Sequence, residues 1–383
     1  MVSLSARERL GEHLERLSLV DHHVHTTWAV DGDAVRLANG LNEADTAPLT
    51  DLATAWDSQV GFAVRRWCAP LLDLPAHVDP PTYADRRAEL GEAEVGRRLL
   101  PTAGVGDWLV DTGWSGGLAT PERFGALAGG TVATIARLET LAEELVLTLD
   151  DPGDWVDALE AVVAGAATTN VGFKSVLAYR TGFAIDLAPP EPRAVAEAAR
   201  RWQGSLADGR APRLDDPTLL AAGVHAALRT RRPLQLHVGF GDRDLDLAAT
   251  DPLLLTDLLR RPEARGVPVM LLHCYPYERH AGYLAQAFAD VYLDVGLSLN
   301  FVGAQAAGMV ARSLELAPFG KVLFSSDAAG AAELHHLGAR LWRDATAEVL
   351  GGWVEAGAWS AADAVRVATM VGRDNARRVY GLA

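Results

Sequence analysis

Leu17-Ser18-Leu19-Val20-Asp21-His22-His23-Val24-His25 is a short apolar run closing in a His-x-His pair, and its reading decides the fold. On a β-strand, side chains alternate between faces, so Asp21, His23 and His25 are expected on one face and His22 and Val24 on the other. Two imidazoles two residues apart at a strand end can share one metal ion. Asp21 would then accept the proton of the ring nitrogen that does not bind metal. Alone, a His-x-His is equally an ordinary hydrogen-bonded pair, so the rest of the chain has to decide.

Outward from this strand, short β-rich runs alternate with helix-length amphipathic stretches to the C-terminus. Eight strands are expected, at 17–25, 107–112, 132–139, 171–179, 233–239, 267–274, 291–297 and 321–327. Runs such as Val267-Pro268-Val269-Met270-Leu271-Leu272 are apolar throughout, as strands covered on both faces of a parallel sheet are. Eight strands alternating with helices predict an α/β fold, a (β/α)8 TIM barrel, over residues 1–383 as one domain. Trp56, Trp67, Leu71, Leu72 and Leu90 fall at helical spacing, so a helical insertion at about 40–105 is expected after strand 1. The alanine-rich stretch 192–202 and the segment 216–231 predict two consecutive helices.

The formal charge of −15 disfavours nucleic acid and anionic membranes, which reward clustered Lys and Arg. Arg86-Arg87, Arg97-Arg98 and Arg200-Arg201 sit in helix-like stretches and read as solvated faces. No apolar run approaches the roughly 20 residues of a membrane span, and the charged N-terminus is unlike a secretion signal, so a cytoplasmic protein is expected. Cys68 and Cys274 form no CxxC motif and imply neither a disulfide framework nor a cysteine zinc site. A small-molecule substrate is the expected partner, and a homodimer is a fair expectation for this barrel class.

Polar residues interrupt the strands at their C-terminal ends, where barrel enzymes carry their chemistry. Strand 1 ends in His23 and His25, strand 5 in His237, strand 6 in His273 and strand 8 in Asp327. Singly, His237 and His273 read as hydrogen-bonded core histidines and Asp327 as a helix N-cap. Together they place imidazoles and a carboxylate on one rim, and burying them there calls for a shared partner such as a divalent cation. Imidazole with carboxylate oxygen suits Zn first, with Mn, Fe or Ni as alternatives.

This pattern resembles the amidohydrolase superfamily, in which His-x-His lies on strand 1, histidines end strands 5 and 6, and an aspartate ends strand 8. More narrowly, Gly172-Phe173-Lys174-Ser175, Ala178-Tyr179-Arg180-Thr181-Gly182, His237-Val238-Gly239-Phe240-Gly241-Asp242 and Tyr275-Pro276-Tyr277 resemble the "amidohydrolase 2" branch. That branch includes the N-terminal domain of nodulin/glutamine-synthetase-like, FluG-type fusion proteins; here no synthetase domain is expected after Ala383. The resemblance implies a metal-dependent hydrolase. It also implies that His23, His25, His237 and Asp327 hold the metal, with His273 either a ligand of a second ion or a catalytic polar group. Lys174 ends strand 4, where some members of the superfamily carry a carboxylated lysine bridging two metals; otherwise it is a cation facing substrate, and one ion is expected instead of two.

The expected chemistry is hydrolysis of a C–N, amide-type bond by metal-activated water, with Asp327 as base and then acid and His273 steadying the oxyanion. Arg137, Lys174 and Arg180 could bind a carboxylate, which favours acidic amides such as a γ-glutamyl compound. The alternative is that Arg137–Glu139 and Lys174–Glu139 pairs only neutralise the barrel interior. Trp28 and Tyr277, with Tyr179 and Phe240, are candidate pocket walls, Asp111-Thr112-Gly113 reads as a turn, and His335-His336 as a helical surface pair. Two other functions remain open: non-oxidative decarboxylation of a small carboxylic acid at a similar site, and a non-catalytic metal-binding scaffold.

Overall fold

Seven parallel strands run in chain order, each beside the next: β1 Leu19–Val24, β2 Val105–Asp111, β3 Thr131–Arg137, β4 Gly172–Ser175, β5 Leu234–Val238, β6 Val269–His273 and β7 Val291–Leu293. They are seen in a computed structural model, which describes residues 4–43, 48–114 and 116–383. Parallel neighbours joined through helices put helices outside and carry every strand's C-terminal end to one mouth.

The eighth position is filled by an extended segment and not by the regular strand expected at 321–327. On one side Leu323 N donates to Leu293 O at 3.0 Å; on the other His22 N donates to Phe324 O at 3.2 Å and Asp327 N to His23 O at 3.1 Å. The ladder towards β7 stops because Phe324 N–H goes to Val371 O instead, at 3.1 Å, and because β7 offers only three residues. The ring is closed nonetheless, as a TIM-type barrel. Strand 4 is also shorter than expected, since Leu177–Arg180 turns into a short helix, and Glu139 belongs to the helix Leu138–Thr148 that follows β3.

Val20, Leu109, Ile135, Met270, Leu272 and Leu323 fill the barrel, joined by Ala376 and Tyr380 of the C-terminal helix Asn375–Tyr380. After β1 the chain forms helices Ala34–Gly40, Ala53–Trp56, Gln59–Trp67 and Pro80–Leu99. The last is capped by Asp79, whose side chain accepts from Thr82 N ahead of a Pro-Pro first turn, as a helix start favours. It kinks at Gly91, where φ of 71° suits a residue without Cβ. Its Arg87 then bonds Glu333 at 2.6 Å and Glu92 at 2.7 Å, both buried, tying these helices to the one that leaves the barrel seam, Ala332–Glu355. His335 and His336 lie on that helix and are buried, which corrects the surface reading. Cys68 and Cys274 are free and buried. No helix among the described residues is long and apolar enough to cross a membrane.

Candidate metal centre and its cavity

His23 and His25 leave β1 towards the mouth, and Asp327 meets them from the closing segment. His23 Nε2 lies 2.9 Å and His25 Nε2 3.8 Å from Asp327 Oδ1. One donor atom from each of the three falls within 4.8 Å of the others. His273, at the end of β6, brings Nε2 to 3.4 Å from Asp327 Oδ2. Its ring packs 4.6 Å from that of His237, and 5.5 Å from that of His23. Two of these residues hold left-handed backbone, His273 at φ 70° and Asp327 at φ 48°, a conformation that non-glycine residues keep only where surrounding structure enforces it.

The donor set suits a divalent cation on two observations. His237 Nε2 and both ring nitrogens of His273 are buried with no hydrogen-bond partner. Burial also keeps three of the imidazoles neutral: it lowers His25 to about 4, lowers His237 to about 3 with help from Lys174, and takes His273 well below its usual value. Burial works to raise Asp327, but its close contact with His23 outweighs it and holds the carboxyl at about 2. Unprotonated imidazoles beside an ionised carboxylate are the state in which these groups bind metal.

Asp21 does not support the histidine rings, as its place in the sequence suggested. It is turned to the seam, where Ser326 donates to it from both N, at 3.0 Å, and Oγ, at 2.5 Å. The support comes from Gln235, whose Oε1 lies 2.8 Å from His23 Nδ1, and from Asp111 O, 3.3 Å from His25 Nδ1. Nor is His22 on an opposite face: it bonds Asp294 and Tyr380 within the barrel, and the pairing of β1 with β2 is irregular between Asp21 and Val24. A further support is His335, whose Nε2 lies 2.9 Å from His25 O. Gln235, inside β5, and Asp294, directly after β7, carried a sequence signal, since each is a polar residue interrupting an apolar run; Tyr380, far off in the chain, carried none.

These groups face a cavity of about 560 Å³ lined by His23, His25, His237, His273, Asp327 and Lys174, with Trp28, Arg137, Tyr179 and Arg180 in its walls. Such a volume suits a small molecule. Trp28 is wedged between Gly40 and Gly330, where an added Cβ would come within 2.7 and 2.4 Å of the indole. Tyr179 Oη crowds Gly241 in the same way, at 2.0 Å from a Cβ there, with His237 Nε2 at 3.0 Å. Lys174 is buried, its Nζ 3.5 Å from His23 Nε2, and burial lowers it to about 8.

The expected charge pairs are replaced by others. Arg137 pairs with Asp111 at 2.6 Å, and Arg180 with Glu143 at 3.1 Å. Glu139 is buried beyond the cavity wall, where Ser175 Oγ donates to it at 2.6 Å; the helical first turn carries it away from the strand face on which contact with substrate was expected. Tyr277 is not among the lining residues either: its hydroxyl donates to Leu247 O at 2.8 Å and its ring stacks on His280.

Residues 151–382 match the family model for amidohydrolases. Over 226 residues the chain is 34% identical to the protein fluG of Emericella nidulans, covering 55% of this chain and 26% of that protein, so it spans about a quarter of the relative's length. Among solved structures, a candidate metal-dependent hydrolase from Lactobacillus casei is 29% identical with a TM-score of 0.85, covering 97% of each chain. A uronate isomerase from Bacillus halodurans shares the fold at 15% identity and a TM-score of 0.66, covering 100% of this chain and 98% of that one.

Proposed function

The chain belongs to the amidohydrolase family, and from that premise we propose that it is a metal-dependent hydrolase cleaving the C–N bond of a small amide. One observation carries this reading: His23, His25 and Asp327 converge at the mouth of a barrel, beside the unpartnered Nε2 atoms of His237 and His273 and a cavity of small-molecule size. His23, His25, His237 and Asp327 would hold the cation, zinc by donor type. Bound there, a divalent ion supplies Lewis acidity, polarising a carbonyl and lowering the pKa of water. One ion is proposed, with Lys174 as a cation facing substrate; a second would require Lys174 in carboxylated form.

The chain's own groups do the rest. Asp327, ionised, takes the proton of the attacking water and returns it to the departing nitrogen. His273 stands 3.4 Å from that carboxylate and steadies the charge that develops on the carbonyl oxygen. Lys174 and the guanidiniums of Arg137 and Arg180 bias the cavity towards a carboxylate-bearing substrate such as a γ-glutamyl amide. Their counter-ions Asp111 and Glu143 lie behind the wall and fix their positions. The proposed enzyme acts in the cytoplasm on a small molecule, with no role for nucleic acid or membrane, and as a homodimer.

Trp28, Trp114, Tyr179 and Phe301 in the lining favour a second reading, decarboxylation of a small unsaturated or aromatic acid. One experiment separates the two. Purified protein is analysed for metal ions per chain, then given γ-glutamyl anilides and aromatic acids while amine and CO2 are followed. Released amine with about one ion per chain is the expected result. CO2 alone moves the assignment to decarboxylation, and no metal even after reconstitution removes both.

A further inference from the structure

Behind His23 runs a buried chain of hydrogen bonds that ends far along the sequence. His23 Nδ1 meets Gln235 Oε1 at 2.8 Å; Gln235 Nε2 meets both His22 O, at 2.8 Å, and Tyr380 Oη, at 2.9 Å. Tyr380 Oη meets His22 Nδ1 at 3.1 Å, and His22 Nε2 meets Asp294 Oδ2 at 2.9 Å. Asp294 Oδ1 in turn accepts from the backbone N of His273 at 2.9 Å.

Only one placement of hydrogens satisfies every member. The carbonyl of His22 can only accept, so the Gln235 amide must present Nε2 to it and Oε1 to His23. His23 therefore carries its hydrogen on Nδ1. At the other end the Asp294 carboxylate accepts, so His22 carries a hydrogen on Nε2. Tyr380 Oη already receives the Gln235 amide; were His22 Nδ1 also a donor, the buried phenol hydrogen would have no acceptor. Tyr380 thus donates to His22, and the four bonds run in one direction, His23 to Gln235 to Tyr380 to His22 to Asp294. At the front, His23 Nε2 is left facing Asp327 Oδ1 at 2.9 Å, two acceptors that need a cation or a proton between them.

We propose that Tyr380, which together with the His22 carbonyl anchors the Gln235 amide, is a positioning residue for the metal ligand His23, holding in place the tautomer whose Nε2 lone pair faces the ion. The C-terminal helix thereby takes part in metal binding from the closed end of the barrel, besides filling it. The inference rests on the metal site proposed above, in which His23 is a ligand.

The test measures zinc affinity of the full chain by competition with a chromophoric chelator, in the native protein, Tyr380→Phe and Gln235→Met. Loss of such a supporting partner is expected to weaken binding by about 10–100-fold. A cobalt(II)-loaded sample adds a readout that packing alone does not move. The exchangeable His23 Nδ1–H should give a paramagnetically shifted proton signal in the native protein and lose it to fast exchange in Tyr380→Phe. Native affinity together with an unchanged signal in Tyr380→Phe overturns the proposal. If that variant does not fold, Gln235→Met decides, because it removes the acceptor of His23 and leaves the C-terminal helix intact: weaker zinc binding supports the relay and native affinity overturns it. A native protein that takes up no zinc overturns the metal site and this inference together, whereas zinc binding that neither variant weakens overturns the inference alone.

Discussion

The Arg137 guanidinium grips Asp111 through Nη2 at 2.6 Å and Nε at 3.2 Å, and Asp111 in turn accepts from Gly113 N at 2.8 Å. The pair joins the ends of β2 and β3 directly beside His25. Burial works to raise the Asp111 carboxyl, but the Arg137 guanidinium keeps it well below the usual carboxylate range. Removing one partner leaves a buried charge alone, so Arg137→Met should destabilise the fold by about 3–5 kcal/mol. In the double variant Asp111→Asn/Arg137→Met much of that loss should return. Urea unfolding of the native protein and the two variants checks this, and equal losses in the single and double variants would count against a coupled pair.

His336 predicts an acid limb in the stability curve. Its ring is buried with Thr102 as neighbour, and burial lowers it from 6.5 to about 4. Between those values the unfolded chain binds a proton that the folded chain refuses, so stability falls as pH drops from 6.5 and the loss is complete below about pH 4. His336→Gln should recover on the order of 3 kcal/mol of the stability that native protein loses across that window. Denaturant midpoints at a series of pH values measure it; parallel curves for the two proteins would exclude His336 as a source.

Gly241 is the residue at which the smallest change should reach the site. An alanine Cβ there would meet Tyr179 Oη at 2.0 Å and His237 Nε2 at 3.0 Å, so the tyrosine and the histidine must shift together. Displacements near 1 Å in such positions can lower kcat about 10²-fold. Gly241→Ala is therefore expected to fold with native circular dichroism and to lose most of its activity.

Chelation should lower the melting temperature. An ion that binds only the folded state adds about 2.7 kcal/mol at a free concentration of 100 Kd. His237→Ala and Asp327→Ala should melt close to the chelated native protein and respond little to added zinc, and a full response in both would remove them from the ligand set.

Much of the barrel and its rim could be read from the chain because each rim residue closes an apolar run with its own local pattern. The two-residue spacing of His23 and His25, and the runs before His237 and His273, are features of neighbouring residues. What escaped is decided between distant residues. The break in the eighth strand depends on Val371 taking the Phe324 amide, Arg137 finds its partner Asp111 on the neighbouring strand, and Arg180 reaches Glu143, one turn beyond Glu139 on the same helix. Strict alternation failed on β1 for a similar reason: its irregular pairing turns His22 and His23 into one network, a choice made by Gln235, Tyr380 and Asp294.

Asp327 reaches His23 and His25 only where the closing segment meets β1, so the two histidines and the carboxylate come from opposite ends of the chain. A chain still being synthesised, or one whose C-terminal part has come loose, holds both histidines and lacks the acid beside them. The candidate centre is thus a record of completed folding: a form in which the ring has not shut lacks the carboxylate beside the two histidines, and the proposed hydrolysis waits for that closure.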